Sequence, residues 1–136
     1  MDFLKSIAIA ASGLRAQAGR MRIISENIAN ADSTAPASGA EPYRRKLVTF
    51  KSEIDRALDA RLVALGGIKT DSSDFRLKHE PGHPFADQNG NVKYPNVNSL
   101  VEMTDLREAQ RSYEANINVI GASRRMIQRT IEILKS

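Results

Sequence analysis

The spacing of apolar residues at the two ends of the chain constrains its fold more than any other feature. Leu4, Ile7, Ala11, Leu14, Ala18, Met21, Ser25 and Ile28 follow one another in alternating steps of three and four. Met103, Leu106, Gln110, Tyr113, Ile117, Ile120, Arg124, Ile127, Ile131 and Leu134 repeat the alternation at the other end. A helix turns once in about 3.6 residues, so such steps draw one stripe along its length, whereas a strand needs strict alternation. Lys5, Arg15, Gln17, Arg20, Arg22 and Glu26 fall off the first stripe. At ~1.5 Å per residue the first helix alone runs about 40 Å. Ser99, with Glu102 three places on, has the form of a capping box opening the second helix. The fold class expected is mainly α, with an amino-terminal helix in residues 1–32 and a carboxyl-terminal helix in 99–136. The two would pair as a coiled-coil-like hairpin.

Small residues carry a second message. Ala8, Ala10, Ala16 and Ala29 on the first helix, and Ala109, Ala115, Gly121 and Ala122 on the second, flank the stripe. A helix that is apolar or small over more than half its girth has neighbours on more than one side. Aromatics make up only 5% of the 136 residues and Trp is absent, so an isolated pair this rich in alanine is poorly held. Two arrangements meet the pattern: a hairpin inside a monomeric bundle, or a terminal pair that packs into an assembly. In the second, the packing seam comprises Leu4, Ile7, Leu14, Met21, Ile28, Met103, Leu106, Tyr113, Ile117, Ile120, Ile127, Ile131 and Leu134. Gln110 and Arg124, polar within that seam, are candidates for fixing register.

Residues 33–98 read as a loop followed by a small β-rich module. ADSTAPASGAEP, 31–42, is dense in turn-forming residues. YRRKLVTFKSEI alternates as a strand does. Ile54, Leu58, Leu62 and Leu65 suit a helix, yet ARLVALGGIKT equally suits extended chain, and Gly66-Gly67 reads as the end of either. FRLKH is a short strand, and QNGNVKY holds Asn89-Gly90, a pair suited to tight hairpin turns.

The patterns that would carry chemistry fail on inspection. His79-Glu80-Pro81-Gly82-His83 matches H-E-x-x-H, but that motif needs a helix to set both imidazoles on one face, and proline and glycine stand inside it. A metalloprotease reading is therefore rejected, and a turn with two surface histidines is expected. The calcium-like string at Asp87 has its glycine too early and no acid at the twelfth place. No glycine-rich phosphate loop is present, and without cysteine there is neither thiolate chemistry nor a disulfide framework. No catalytic residue, metal or cofactor is assigned. A net charge of +4 permits a basic helical nucleic-acid-associated protein, the main alternative. However, Arg44-Arg45-Lys46 and Arg124-Arg125 lie among acids without interleaved aromatics, so no nucleic-acid partner is assigned either. The opening residues imitate a secretory leader, but the patch from Ile7 to Ala11 is short and the helical spacing runs through the apparent cleavage point, so no cleavable leader is expected. No segment has the ~20 apolar residues of a membrane span.

The stretch SENIANAD, 25–32, ends the first helix with Asn27 and Asn30. Their amides both donate and accept, which suits them to fix where the helix stops and the chain turns outward. SENIANADST, PYRRK, GHPFADQNGNVKYPNVN and RSYEANINVI together resemble the rod–hook axial family of the bacterial flagellum, on its proximal-rod branch. Asn-Ile-Ala-Asn at 27–30 is similar to the amino-terminal signature shared across that family. The likeness covers nearly the whole chain and is weakest over 51–74. It implies a structural subunit of the basal-body rod, a helical drive shaft spanning the periplasm. It also implies export by the flagellar type III apparatus without a cleavable signal peptide. Partners implied are other copies of the chain, neighbouring rod subunits, base-ring and rod-adaptor proteins, and the type III export gate. Phe3 and Ile7 resemble the family's gate-recognition pattern, and residues 60–69 are implied to be extended. The run Ala35 to Glu41 departs from the Pro-Gly-Tyr turn common in the family.

Overall fold

A computed structural model describes residues 2–136 of the chain. Helix α1 spans Phe3–Ala29 and helix α2 spans Ser99–Lys135. Between them lie four strands: β1 (Lys46–Asp55), β2 (Ala60–Thr70), β3 (Arg76–His79) and β4 (Asn91–Tyr94). β1 pairs with β2, and β3 pairs antiparallel with β4 in the register Arg76↔Tyr94 to His79↔Asn91. Two long helices and two small sheets make the fold mainly α with β elements between, as the spacing implied.

The helix starts are set by side chains. Asp2 Oδ1 accepts from Leu4 N–H at 2.9 Å and Lys5 N–H at 3.3 Å, so Asp2 caps α1. The cap of α2 is Asn98, one place before the expected Ser99: its Oδ1 accepts from Leu100 N–H at 3.1 Å and Val101 N–H at 3.4 Å. Glu102 does not complete a capping box, because its carboxylate is engaged elsewhere in the fold.

Two details of the middle correct the sequence reading, and a third decides between two readings that were open. Gly66-Gly67 does not end a segment, since β2 runs through it. A Cβ on Gly66 would lie 2.5 Å from Thr49 Oγ1, so glycine permits β1 to close on β2 there. The stretch 54–65, which allowed a helix, is strand, turn and strand. Asp55 Oδ1 binds the N–H groups of Ala57 and Leu58, and Asp59 takes a left-handed φ of 48°. Asn89-Gly90 is not a two-residue hairpin, because β3 and β4 are joined by residues 80–90. Residues 60–69 are extended, as the resemblance implied.

The chain forms two compact units. One holds the α1 residues up to Met21, with Thr49–Gly67 and Arg107–Ser136; the other holds Arg22–Val48 and Ile68–Leu106. These units cut across a division at 32/33 and 98/99, because each takes part of both helices and part of the middle.

Within the first unit α1 has two neighbours. Ser12, buried, donates from Oγ to Ile9 C=O at 2.7 Å and accepts Val63 N–H at 3.1 Å, which docks β2 on the helix. A Cβ on Gly19 would come within 2.2 Å of Leu65 Cδ1, and one on Gly13 within 2.6 Å of Asn116 Nδ2. Both absences of a side chain allow close approach, by β2 at Gly19 and by α2 at Gly13. Arg20 pairs with Glu108 on α2 at 3.6 Å. Ala10, Ala16, Ala60 and Ala109 are buried here, so the alanine content serves close packing.

The inward line on α2 is offset from the expected stripe. Leu106, Tyr113, Ile120 and Ile127 are half-buried, but alternating with them are buried Glu102, Ala109 and Ser123 and half-buried Asn116. The residues one place on, Met103, Gln110, Ile117 and Arg124, are exposed. One residue turns a helix by about 100°, enough to move half of a stripe off the contact face. Small side chains at 109 and 123 win the inward places because they let neighbours come close.

Candidate functional site

The second unit contains the densest polar arrangement among the described residues, a clasp centred on Asn27 and Glu102. Both are 1% exposed. Asn27 lies on the last turn of α1, Glu102 on the first turn of α2, and β1 begins between them in the chain. Asn27 Oδ1 accepts Lys46 N–H at 3.0 Å and the Tyr43 hydroxyl at 2.7 Å. Asn27 Nδ2 donates to Lys46 C=O at 2.9 Å and to Glu102 Oε2 at 3.3 Å. The amide thereby uses its donors and acceptors fully, which a buried Asn must do to offset its desolvation.

Arg45 supplies the charge that lets a carboxylate be buried. Its Nε donates to Glu102 Oε1, while Nη1 reaches Asp71 at 3.4 Å and Nη2 faces Asp105 at 3.8 Å. Its backbone N–H donates to Asn96 Oδ1 at 2.7 Å, and its C=O accepts Asp71 N–H at 2.8 Å. Partial burial works against the Arg45 charge, but hydrogen bonds and attraction from Glu102 and then Asp71 outweigh it, and its pKa lies above the ordinary value. Hydrogen bonds from Ser73, backbone first, hold the Asp71 carboxyl below its ordinary range, with help from Arg45. Burial, then the negative charges of Glu26 and Glu102, push the Tyr43 phenol up to about 12.

Two further arms brace the clasp. Asn96 Nδ2 donates to the carbonyls of Asp71 and Ser73, both at 3.1 Å. Arg44 binds the same two carbonyls at 3.0 and 3.1 Å and lays its guanidinium 4.2 Å from the Phe75 ring centroid. Arg76, from β3, donates to Ala31 C=O at 2.6 Å and Pro95 C=O at 3.0 Å, tying the end of α1 to the approach to α2. Lys46 Nζ pairs with Glu26. The run Arg44-Arg45-Lys46, which the sequence reading weighed against a nucleic-acid partner, is thus occupied inside the protein.

The sequence-derived candidates fall into distinct groups. Asn27 is in the clasp. Asn30 bonds back to Glu26 C=O at 2.9 Å, and its own C=O accepts the Ser33 N–H at 3.2 Å and hydroxyl at 2.9 Å. Its φ is not left-handed: among the described non-glycine residues only Asp59 has a positive φ. Phe3, Ile7, Leu14, Met21 and Ile28 are half-buried, as are Leu106, Tyr113, Ile120 and Ile127. Leu4, Met103, Ile117, Ile131 and Leu134 are exposed, with Leu4 at 67% and Leu134 at 81%. Gln110 and Arg124 are also exposed. His79 ends β3 and His83 lies in the following turn, so no helix carries the H-E-x-x-H string. Glu80 is held by Lys78 at 2.8 Å and the Tyr94 hydroxyl at 3.0 Å. No group of three or more metal-ligating side chains occurs among the described residues.

Sequence reasoning missed Glu102, Tyr43, Asp71 and Asn96 as partners. A signal was available: Asn27 sits between Ile24 and Ile28, and Glu102 among Leu100, Val101 and Met103, where polar residues need a reason. The clasp is built of amide, guanidinium, carboxylate and phenol groups bonded to one another. What it can do is hold four chain segments together, 26–27, 43–46, 71–73 and 96–102, and SENIAN, YRRK and YPNVN among them belong to the stretches that carried the resemblance.

Comparison with known proteins agrees. Residues 7–35 match the family described as "Flagella basal body rod protein", and residues 88–133 match "Flagellar basal body rod FlgEFG protein C-terminal". The flagellar basal-body rod protein FlgC of Agrobacterium fabrum is 52% identical over 100% of this chain and 99% of its own length. FlgC of Salmonella typhimurium is 40% identical over 98% of each chain, and that of Bacillus subtilis 38% over 99% of this chain and 100% of its own. On identity sustained from end to end, the chain belongs to the FlgC family of flagellar basal-body rod proteins, a structural family and not one of enzymes.

Proposed function

We propose that the chain is a subunit of the proximal rod of the flagellar basal body. It is exported unfolded by the type III apparatus and assembles with its own copies and neighbouring rod subunits into a helical shaft. The observation that carries this reading is the divided stripe on α2. Leu106, Tyr113, Ile120 and Ile127 are half-covered within the protomer, while Met103, Ile117, Ile131 and Leu134 stay exposed at 51%, 45%, 47% and 81%. Each large apolar side chain left in water forgoes about 1.5–3 kcal/mol of burial, and a row of them along one helix is a surface for association. Contacts made head to tail, by unlike faces, propagate an open helical array. Exposed Gln110 and Arg124 interrupt this row and fix the register between subunits.

Pairing of α1 and α2 as an antiparallel hairpin accompanies the proposal. Gly13 against Asn116, and Arg20 with Glu108 seven residues along α1, support it within the first unit. Phe3 and Ile7 are the residues offered to the export gate, and base-ring and rod-adaptor proteins are the partners at the shaft's lower end. Asn27, through the clasp, fixes where β1 leaves the end of α1, and Asn30 closes the helix itself. Among the described residues no helix is long and apolar enough to cross a membrane.

The experiment is complementation of a strain lacking its own rod protein of this kind. Ile117→Lys with Ile131→Lys should leave the purified chain as helical as before yet abolish swimming and rod formation. Full motility with that double substitution would overturn the reading.

A further inference from the structure

We infer that Asn89 is a site of slow, nonenzymatic deamidation and isomerisation, and that Asp87 restrains that chemistry. Asn89 is the one asparagine in the chain followed by glycine, so no side chain at the next position shields its backbone nitrogen. Asn89 is exposed, and among the described residues no hydrogen bond holds its side-chain amide. The amides of Asn27, Asn30, Asn91, Asn96 and Asn98 are all engaged.

The reaction needs only water. The Gly90 backbone nitrogen attacks Asn89 Cγ, forming a cyclic imide as the Cγ–Nδ2 bond breaks. The side-chain nitrogen leaves as ammonia, taking up the proton that Gly90 gives up. Water then opens the imide at either carbonyl, leaving aspartate or its β-linked isomer, which carries an extra methylene in the backbone.

The turn both creates this liability and limits it. Gly90 has a φ of +78°, and a Cβ there would stand 3.0 Å from His79 Cε1 and 3.2 Å from Pro81 Cγ. Glycine is therefore fixed at this place by the path of the chain. The attacking N–H, however, donates to Asp87 C=O at 3.0 Å. Asp87 Oδ1 also accepts the N–H groups of Asn89 at 2.8 Å and Asn91 at 2.9 Å, and Asp87 N–H donates to Asn91 C=O at 2.9 Å. Gly90 cannot reach Asn89 Cγ until these bonds open, so the rate follows local opening of the 87–91 turn. Once formed, the β-linked product lengthens the chain beside the His79↔Asn91 pair that closes the β3–β4 ladder.

The test incubates the full-length protein at mildly alkaline pH, natively and in denaturant, with peptide mass spectrometry and isoaspartate-specific methylation as readouts. Natively, Asn89 should react ahead of Asn116 and Asn118, and faster still in denaturant. Asp87→Ala should raise the native rate severalfold and leave the denatured rate unchanged. Asp87→Asn retains an acceptor at the same place and should stay near the parent rate, which keeps the idea testable should Asp87→Ala melt the connection. Reaction at Asn89 no faster than at Asn116, or a native Asp87→Asn rate equal to the denatured one, would overturn the inference.

Discussion

Asn27 and Lys46 meet as two neighbouring strands do, although one of them is in a helix. The Asn27 amide accepts the Lys46 N–H at 3.0 Å and donates to the Lys46 C=O at 2.9 Å, so a side chain replaces a strand partner at the start of β1. Removing it strands two part-buried backbone groups and the Tyr43 hydroxyl. At about 1–3 kcal/mol for a buried polar group left unpaired, Asn27→Leu should lower stability by several kcal/mol. Asn30→Leu, which loses one local bond, should cost roughly 1 kcal/mol. Urea unfolding of the two variants checks the order, and equal losses would mean that the clasp does not depend on Asn27.

Glu102 is buried and pairs with Arg45. Truncating Glu102 removes the bonds from Arg45 Nε and Asn27 Nδ2 while Arg45 keeps Asp71 and Asp105, so Glu102→Ala should cost about 1.5–3 kcal/mol. Glu102→Gln keeps a hydrogen-bonding shape and should cost less. Arg45→Lys cannot serve Glu102, Asp71 and Asp105 at once, since the planar fork is lost, and should fall between the two. A double-mutant cycle on Glu102→Ala and Arg45→Ala should give a coupling well above that of the exposed Lys51–Glu53 pair.

The clasp should loosen at both ends of the pH scale. Tyr43 titrates near 12 in the folded chain against about 10 for an ordinary phenol. A raised folded pKa means its contribution is intact below pH ~10 and is lost as pH rises from there to about 12. Asp71 is shifted down, so its contribution is intact above the ordinary carboxylate range of about 4 and fades as pH falls below it. Ultraviolet titration of tyrosinate should show a component near pH 12 that disappears in Tyr43→Phe.

How much of this could be read from the sequence depended on the kind of force involved. Helix existence followed from apolar spacing, because that pattern has one periodic solution. The inward face of α2 did not, because Ala109 and Ser123 win their places through closeness of approach, which hydrophobicity does not measure. β2 running through Gly66-Gly67 was hidden for a related reason, since the contact that wants glycine comes from Thr49, seventeen residues earlier. The clasp was half visible. Asn27 and the Arg-Arg-Lys run stood out one at a time, but their pairing joins residues such as Asn27 and Glu102 across 75 positions, and no local rule carries that.

Gly19 offers a test of the packing in the first unit. A Cβ there would lie 2.2 Å from Leu65 Cδ1, so Gly19→Ala forces the end of the Leu65 side chain to move, a loss of about 1 kcal/mol set against the similar gain that alanine brings inside a helix. Leu65→Ala in the same chain should recover part of that loss. A Gly19→Ala variant more stable than the parent by the full ~1 kcal/mol of the helix preference would mean that β2 does not rest on α1 at this point.

The account turns on a helix whose two apolar rows have different fates, one covered by its own chain and the other awaiting neighbours. The chain lacks cysteine, so Ile117→Cys and Ile120→Cys each introduce a single thiol for labelling. In the free protein Cys at 117 should label fast and Cys at 120 slowly. In isolated rods both should be protected, with the larger change at 117. A thiol at 117 that labels as quickly in assembled rods as in the free chain would contradict the account.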